Sequence, residues 1–150
     1  MPKDPIVIVG IARTPMGGLL GDLSSVEASA LGAVAIEGAI TSAGIDSASV
    51  DEAIIGCVLP AGQGQAPARQ AVLKAGLPTG TTATTINKMC GSGMKAIMQA
   101  ADTITAGNAN VVVAGGMESM SRAPHLMPSG RTGTKYGTAQ LMDHMALDGL

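Results

Sequence analysis

The residue types and spacing best suited to chemistry fall in Asn87-Lys88-Met89-Cys90-Gly91-Ser92-Gly93-Met94-Lys95-Ala96. The Thr-rich, β-prone run Thr82 to Ile86 precedes this stretch, and helical spacing follows from Gly91 to Ala106. Cys90 is therefore expected on a sharp strand-to-helix turn, at the N-terminus of the helix. Free N–H groups and the positive end of the helix dipole favour a thiolate there. Gly91 and Gly93 leave room for a substrate and for close approach of the backbone. The backbone N–H of Cys90 could also face the oxyanion of an attacked thioester. Such a turn resembles a nucleophile elbow built around sulfur. The plainer reading, a small buried residue at a tight turn, would hold for an arbitrary cysteine. The flanking glycines and the helix start favour the nucleophile.

Other residues compete for a role. Cys57 lies in an apolar strand and reads as structural. Gly91-Ser92-Gly93-Met94-Lys95-Ala96 matches G-x-G-x-x-A between a strand and a helix, with Glu118 as a possible ribose ligand. The fit is imperfect, because four residues, Asn87 to Cys90, separate the strand from its first glycine. No G-x-x-x-x-G-K-[ST] is present. His125 and His144 lie in or beside an irregular region and read as surface residues. Arg69 and Gln70, at the start of a helix, could bridge to a neighbouring segment or be solvated. The ten methionines read as fillers of core gaps rather than metal ligands. Met89, Met94, Met117 and Met120 bracket the Cys90 region and could line an apolar acyl channel; core packing explains them equally well.

The elements that must position Cys90 follow from pattern. Ile6-Val7-Ile8-Val9 reads as a strand buried on both faces. Gly10 to Gly21 is a loop. Ser24 and Glu27 have capping-box spacing ahead of a helix with Ala28, Leu31, Ala35 and Ala39 on one stripe, stopped by Gly44. Glu52 to Val58 reads as a second strand. Pro67 opens a helix running to Ala75, and Thr82 to Ile86 is the third strand. The helix after Cys90 carries Met94, Ile97, Met98, Ala101 and Ile104, and Val111 to Ala114 is another buried strand, closed by Gly115-Gly116. The alternation β-α-β-α-β-α-β predicts an α/β layered domain. Residues 121–140 lack periodicity and read as a long excursion in which Tyr136 could be an anchor. Leu141 to Met145 suggest a short amphipathic helix.

Composition limits the function classes. Of the 150 residues, 46% are apolar and 13% charged, which argues for a packed chain. With one Tyr, no Phe and no Trp, core volume must come from aliphatic residues and Met. The net charge of −2, with no basic run, gives no footprint for nucleic acid. Two cysteines make neither a disulfide framework nor a zinc cluster, so a reducing compartment is expected. The lead-in Met1-Pro2-Lys3-Asp4-Pro5 and the run Ile6 to Ile11 do not make a secretory signal, and no stretch reaches the length of a membrane span.

The Asn87–Ala96 stretch closely resembles the active-site cysteine signature of thiolases. Ala12-Arg13-Thr14-Pro15-Met16-Gly17 resembles the family's N-terminal loop. Gly64-Gln65-Ala66-Pro67-Ala68-Arg69-Gln70-Ala71 resembles the motif ahead of its second helix. Ala114-Gly115-Gly116-Met117-Glu118-Ser119-Met120-Ser121 resembles the glycine strand that follows. The four motifs come in order at family spacing and span essentially the whole sequence. Within the family the sequence is most similar to the biosynthetic acetyl-CoA acetyltransferases.

The resemblance implies a thiolase-like layered α/β fold, here its N-terminal half, with a mixed sheet and helices on its faces. Residues 1–120 would form the domain bearing the nucleophile, and 121–150 would begin a loop and oligomerisation excursion that is cut short. Pro128 to Gly137 resembles the family's tetramerisation loop. The implied reaction is a ping-pong condensation of two acetyl-CoA into acetoacetyl-CoA and CoA, or the reverse thiolysis. Cys90 would carry the acyl group and supply the oxyanion N–H, and Leu150 would touch the pantetheine arm. No metal or other cofactor is implied, coenzyme A being part of the substrate. The implied partners are further copies of the chain, as a dimer or tetramer, or a missing C-terminal half; neither nucleic acid nor membrane is implied. The expected compartment is the cytoplasm, with the mitochondrial matrix as the alternative. The family's activating histidine, second cysteine and water-holding asparagine lie in that later half, so the chain is expected to be a truncated or split thiolase. A non-catalytic assembly subunit and a dinucleotide-binding module are the alternative functions.

Overall fold

A computed structural model describes residues 5–150; the lead-in Met1 to Asp4 lies outside the described residues. Three parallel strands form the main sheet: β1 (Glu52–Gly56), β2 (Thr82–Ile86) and β3 (Val112–Gly116), in the order β2-β1-β3. The register is unbroken, with Glu52 opposite both Thr82 and Val112 and Gly56 opposite Ile86 and Gly116. The expected mixed sheet is thus wholly parallel among the described residues. Three helices accompany it: α1 (Ala28–Ala43), α2 (Pro67–Lys74) and α3 (Ser92–Thr105).

The central strand decides the layers. Successive side chains of a strand point to opposite faces, so Ala53, Ile55 and Cys57 share a core with α2 and α1, including Ala68, Ala71, Val72, Ala28 and Ile36. Ile54 points the other way, onto Ala96 and Ala100 of α3. Strand and helix ends are pinned by polar groups. The Asp51 carboxylate accepts hydrogen bonds from the Asn110 and Val111 amides at 2.7 and 3.1 Å, tying the start of β3 to β1. Arg69 donates to the carbonyls of Thr81 and Thr79 at 2.6 and 2.7 Å and so holds the turn into β2. Gln70 donates to the Gln63 and Gln65 carbonyls. Both side chains therefore bridge segments, the first of the two readings open to them.

Several expectations are corrected. Ile6 to Val9 form no strand and are exposed, Ile8 at 75%. The free edges of the sheet belong to β2 and β3, and the chain just after this run meets α1, Gly10 against the Ala39 carbonyl and Ala43, and Ala12 against Gly38. The capping box does not form: Glu27 is the N-cap of α1 without a side-chain cap bond, and its carboxylate is paired with Lys74 at 2.8 Å. The buried face of α1 is Ala28, Ser29, Gly32, Ala33 and Ile36 rather than the stripe through Leu31, Ala35 and Ala39, because α1 packs chiefly on α2. Gly44, at φ +65°, stops α1 in the left-handed conformation, as its position suggests.

Beyond β3, the antiparallel pair β4 (His125–Leu126) and β5 (Met142–Asp143) brackets the excursion. The short amphipathic helix expected at Leu141–Met145 is replaced by β5 and a π-helical turn, Met145–Gly149. Tyr136 is 99% exposed and anchors nothing.

Candidate active site

Cys90 stands where the sequence places it, between the end of β2 at Ile86 and the start of α3 at Ser92. The connecting turn is closed by its own side chains. Asn87 Oδ1 accepts from the Met89 amide at 2.9 Å, and Asn87 Nδ2 donates to the Val58 carbonyl at 3.4 Å. Ser92 Oγ accepts from the Lys88 amide at 2.9 Å and donates to the Met89 carbonyl at 2.6 Å. Met89 takes φ +50°, a conformation uncommon for a residue with a side chain. The turn thus holds Cys90 exposed just ahead of the helix.

Three glycines let this turn come down on the sheet. A Cβ on Gly56 would overlap Ser92, lying 2.8 Å from its backbone carbon and 3.0 Å from the Gly93 nitrogen. A Cβ on Gly116 would lie 3.4 Å from the Gly93 Cα. Backbone therefore packs on backbone at the carboxyl ends of β1 and β3. The spacing leaves room only for Ala96 and Ala100 beneath α3, and the larger Met94, Ile97 and Met98 are turned outward, 67%, 49% and 53% exposed. Of the apolar stripe expected to bury α3, Met94, Ile97 and Met98 face outward, while Ala101 and Ile104 are half-buried.

Cys90 borders a cavity of about 510 Å³. Leu31 and Ala35 of α1, Arg13 and Thr14 of the N-terminal loop, and Met145, Gly149 and Leu150 of the last turn complete its wall. Cys90 and Leu150, far apart in sequence, thus share one cavity. Of the methionines that could line a channel, Met89, Met117 and Met120 do so and Met94 does not, while Met16 and Met145 join them.

Glu118 also borders the cavity, but its carboxylate is already engaged. It accepts from the Val58 and Leu59 amides at 2.8 and 3.1 Å and lies 3.5 Å from the Cys57 sulfur. Its work is to hold the loop after β1, which corrects the reading of Glu118 as a ribose ligand. Cys57 is buried, and burial followed by the Glu118 charge pushes its thiol up to about 11. It is a structural thiol. His125 is exposed on β4. His144 is not a surface residue: it is 5% exposed, with Nδ1 2.6 Å from an Asp148 carboxylate oxygen and Nε2 3.4 Å from the Ala61 amide nitrogen. Nothing local in the sequence marks it, since its partners are a backbone group 83 positions away and a carboxylate one turn on. Among the described residues, no three His, Cys, Asp or Glu side chains are grouped so as to hold a metal ion.

A parallel sheet covered on both faces, with a cavity beyond the carboxyl ends of its strands, defines an α/β protein of the kind that binds ligands at that edge. The chain belongs to the thiolase family: residues 6–150 match its N-terminal domain. It is 54% identical, over 99% of its length, to acetyl-CoA acetyltransferase 2 of Arabidopsis thaliana. It is 55% identical, over 97% of its length, to the mitochondrial acetyl-CoA acetyltransferase of Bos taurus. It is 53% identical, over 97%, to the cytosolic acetyl-CoA acetyltransferase ERG10 of Gibberella zeae. The chain spans 37%, 34% and 37% of the lengths of these relatives.

Proposed function

We propose that this chain is the nucleophile-bearing part of an acetyl-CoA acetyltransferase. The Cys90 thiolate attacks the thioester carbonyl of acetyl-CoA, the C–S bond to coenzyme A breaks, and CoA leaves with the electron pair. One thioester is exchanged for another, so the step is close to balanced, and the acyl-enzyme divides a hard condensation into two easier steps. The carbanion of a second acetyl-CoA then attacks acyl-Cys90 and expels the thiolate, giving acetoacetyl-CoA. The Cys90 N–H, in the turn ahead of α3, is the donor assigned to the oxyanion. Leu150 is the contact for the pantetheine arm.

The observation that carries this reading is an exposed thiol on a closed strand-to-helix turn, at the border of a cavity lined by methionines. The proton-transfer groups belong to the part of the family's length that this chain does not span. The apolar outer face of α3 and the exposed Ile6–Ile11 run favour burial against that part, or against further copies of the chain through residues 128–137. Residues 1–120 then act as the nucleophile domain and 121–150 as the start of the oligomerisation excursion. The chemistry uses no metal or added cofactor and takes place in the cytoplasm.

Intact-protein mass spectrometry after incubation with acetyl-CoA tests the reading. One added acetyl group, absent in Cys90→Ser, is the expected result. An acetyl group retained in Cys90→Ser, or none on the folded protein at its natural length, would overturn it.

A further inference from the structure

The turn that ends in Leu150 is held by a histidine that the chemistry of Cys90 does not use. The His144 backbone N–H donates to the Pro124 carbonyl at 3.2 Å. An amide nitrogen only donates, so His144 Nε2, 3.4 Å from the Ala61 nitrogen, must be bare and accepting. The proton of the neutral ring then sits on Nδ1 and is donated to Asp148 at 2.6 Å. These two contacts select one tautomer. A second, independent contact fixes the same turn: a Cβ on Gly149 would lie 2.9 Å from Leu59 Cδ2, so the backbone of the turn rests directly on Leu59. Leu59 and Ala61 both belong to the loop after β1 that Glu118 holds. Met145, Gly149 and Leu150 form cavity wall, whereas His144 stands behind them.

The geometry points to His144 as a positioning residue: its neutral, Nδ1-protonated ring ties the Met145–Leu150 wall to the loop after β1. In this role it governs how firmly the acyl-CoA is held rather than how fast Cys90 reacts. The substrate half of this inference rests on the acetyltransferase reading of the cavity; the tie itself does not.

The test uses the protein at its natural length. His144→Leu keeps bulk but removes the acceptor, while the Gln Oε1 of His144→Gln can stand where Nε2 accepts. His144→Leu is expected to raise KM for acetyl-CoA about 10-fold and to lower kcat less than about 3-fold, with His144→Gln restoring most of the KM. Asp148→Ala, at a half-exposed side chain, is expected to raise KM about 3-fold and covers the case in which His144→Leu does not fold. Unchanged KM in the folded variants, or a fall in kcat alone, overturns the inference. Nitrogen NMR of the His144 ring gives a readout apart from activity: a protonated Nδ1 and a bare Nε2 are expected, and the opposite tautomer overturns the tie. If the Nδ1 tautomer is found in a parent protein that never acetylates Cys90, the acetyltransferase reading falls and the tie stands.

Discussion

At the residue scale, two thiols of one small chain are given opposite chemistry by their surroundings. Cys57 follows β1 inside the core, with Gln63 Nε2 at 3.4 Å and the Glu118 carboxylate at 3.5 Å. Cys90 ends a turn in the open. Iodoacetamide at pH 8 is therefore expected to label Cys90 in the folded chain and Cys57 only after denaturation, as read by peptide mass mapping. The Cys57 shift also has a stability consequence. Its folded value, about 11, lies above the ordinary 9.0, so between those pH values the unfolded chain releases a proton that the folded chain keeps. Stability carried by this group is complete below pH 9 and declines up to pH 11. Cys57→Ala should flatten that part of a melting-temperature profile. Asp51 has the opposite sign: the Asn110 and Val111 amides hold its carboxyl below the ordinary 3.8. Its contribution is present above that value and is lost as pH falls through the folded one, so Asp51→Asn should soften the acid limb of the same profile.

At the element scale, the site depends on how closely α3 approaches the sheet. Ser92 braces the turn from within, and Gly56, Gly93 and Gly116 let backbone meet backbone beneath it. Gly56→Ala would drive a methyl group into Ser92. The nearest groups are backbone and a short side chain, so relief requires moving α3. A loss of about 1–3 kcal/mol is expected, together with a slower reaction of Cys90 with iodoacetamide, measured by chemical denaturation and labelling kinetics. Unchanged labelling with lowered stability would show that the cysteine turn does not depend on the seat of α3.

At the scale of the whole molecule, apolar surface is left over. α3 is apolar on both sides, with Ala96 and Ala100 inward and Met94, Ile97 and Met98 outward. Lys95, Gln99 and Asp102 make part of its circumference polar, but a helix with an exposed apolar patch besides its buried face fits between two layers, and one of those layers is the β1–β3 sheet. The isolated 150-residue chain is therefore expected to bind the dye ANS and to self-associate in size-exclusion chromatography. Met94→Lys with Met98→Lys should reduce both, with stability changed by less than about 0.5 kcal/mol per site because the side chains are exposed. Undiminished dye binding would place the sticky surface elsewhere, on the Ile6–Ile11 run. Among the described residues no helix is long and apolar enough to cross a membrane.

Much of this was legible along the chain. β2 has the bounds its Thr-rich run suggests, β1 and β3 fall within two residues of theirs, Pro67 opens α2 and Gly44 stops α1, because strand composition and helix ends are local physics. The turn at Cys90 is local too, and four motifs in order identify the family. What pattern could not supply is partnership across distance. Ile6 to Val9 have strand composition, yet a strand exists only where a neighbouring edge accepts its hydrogen bonds, and this run pairs with neither free edge of the sheet, β2 nor β3. The faces of α1 and α3 followed from which element each helix meets, α2 for one and a glycine-lined sheet for the other. Glu118 and His144 took their roles from amides about 60 and 83 positions away. The type of the candidate nucleophile and its local turn were set by sequence alone; the shared cavity of Cys90 and Leu150 was decided by tertiary structure, because long-range hydrogen bonds and close packing leave no period in a sequence.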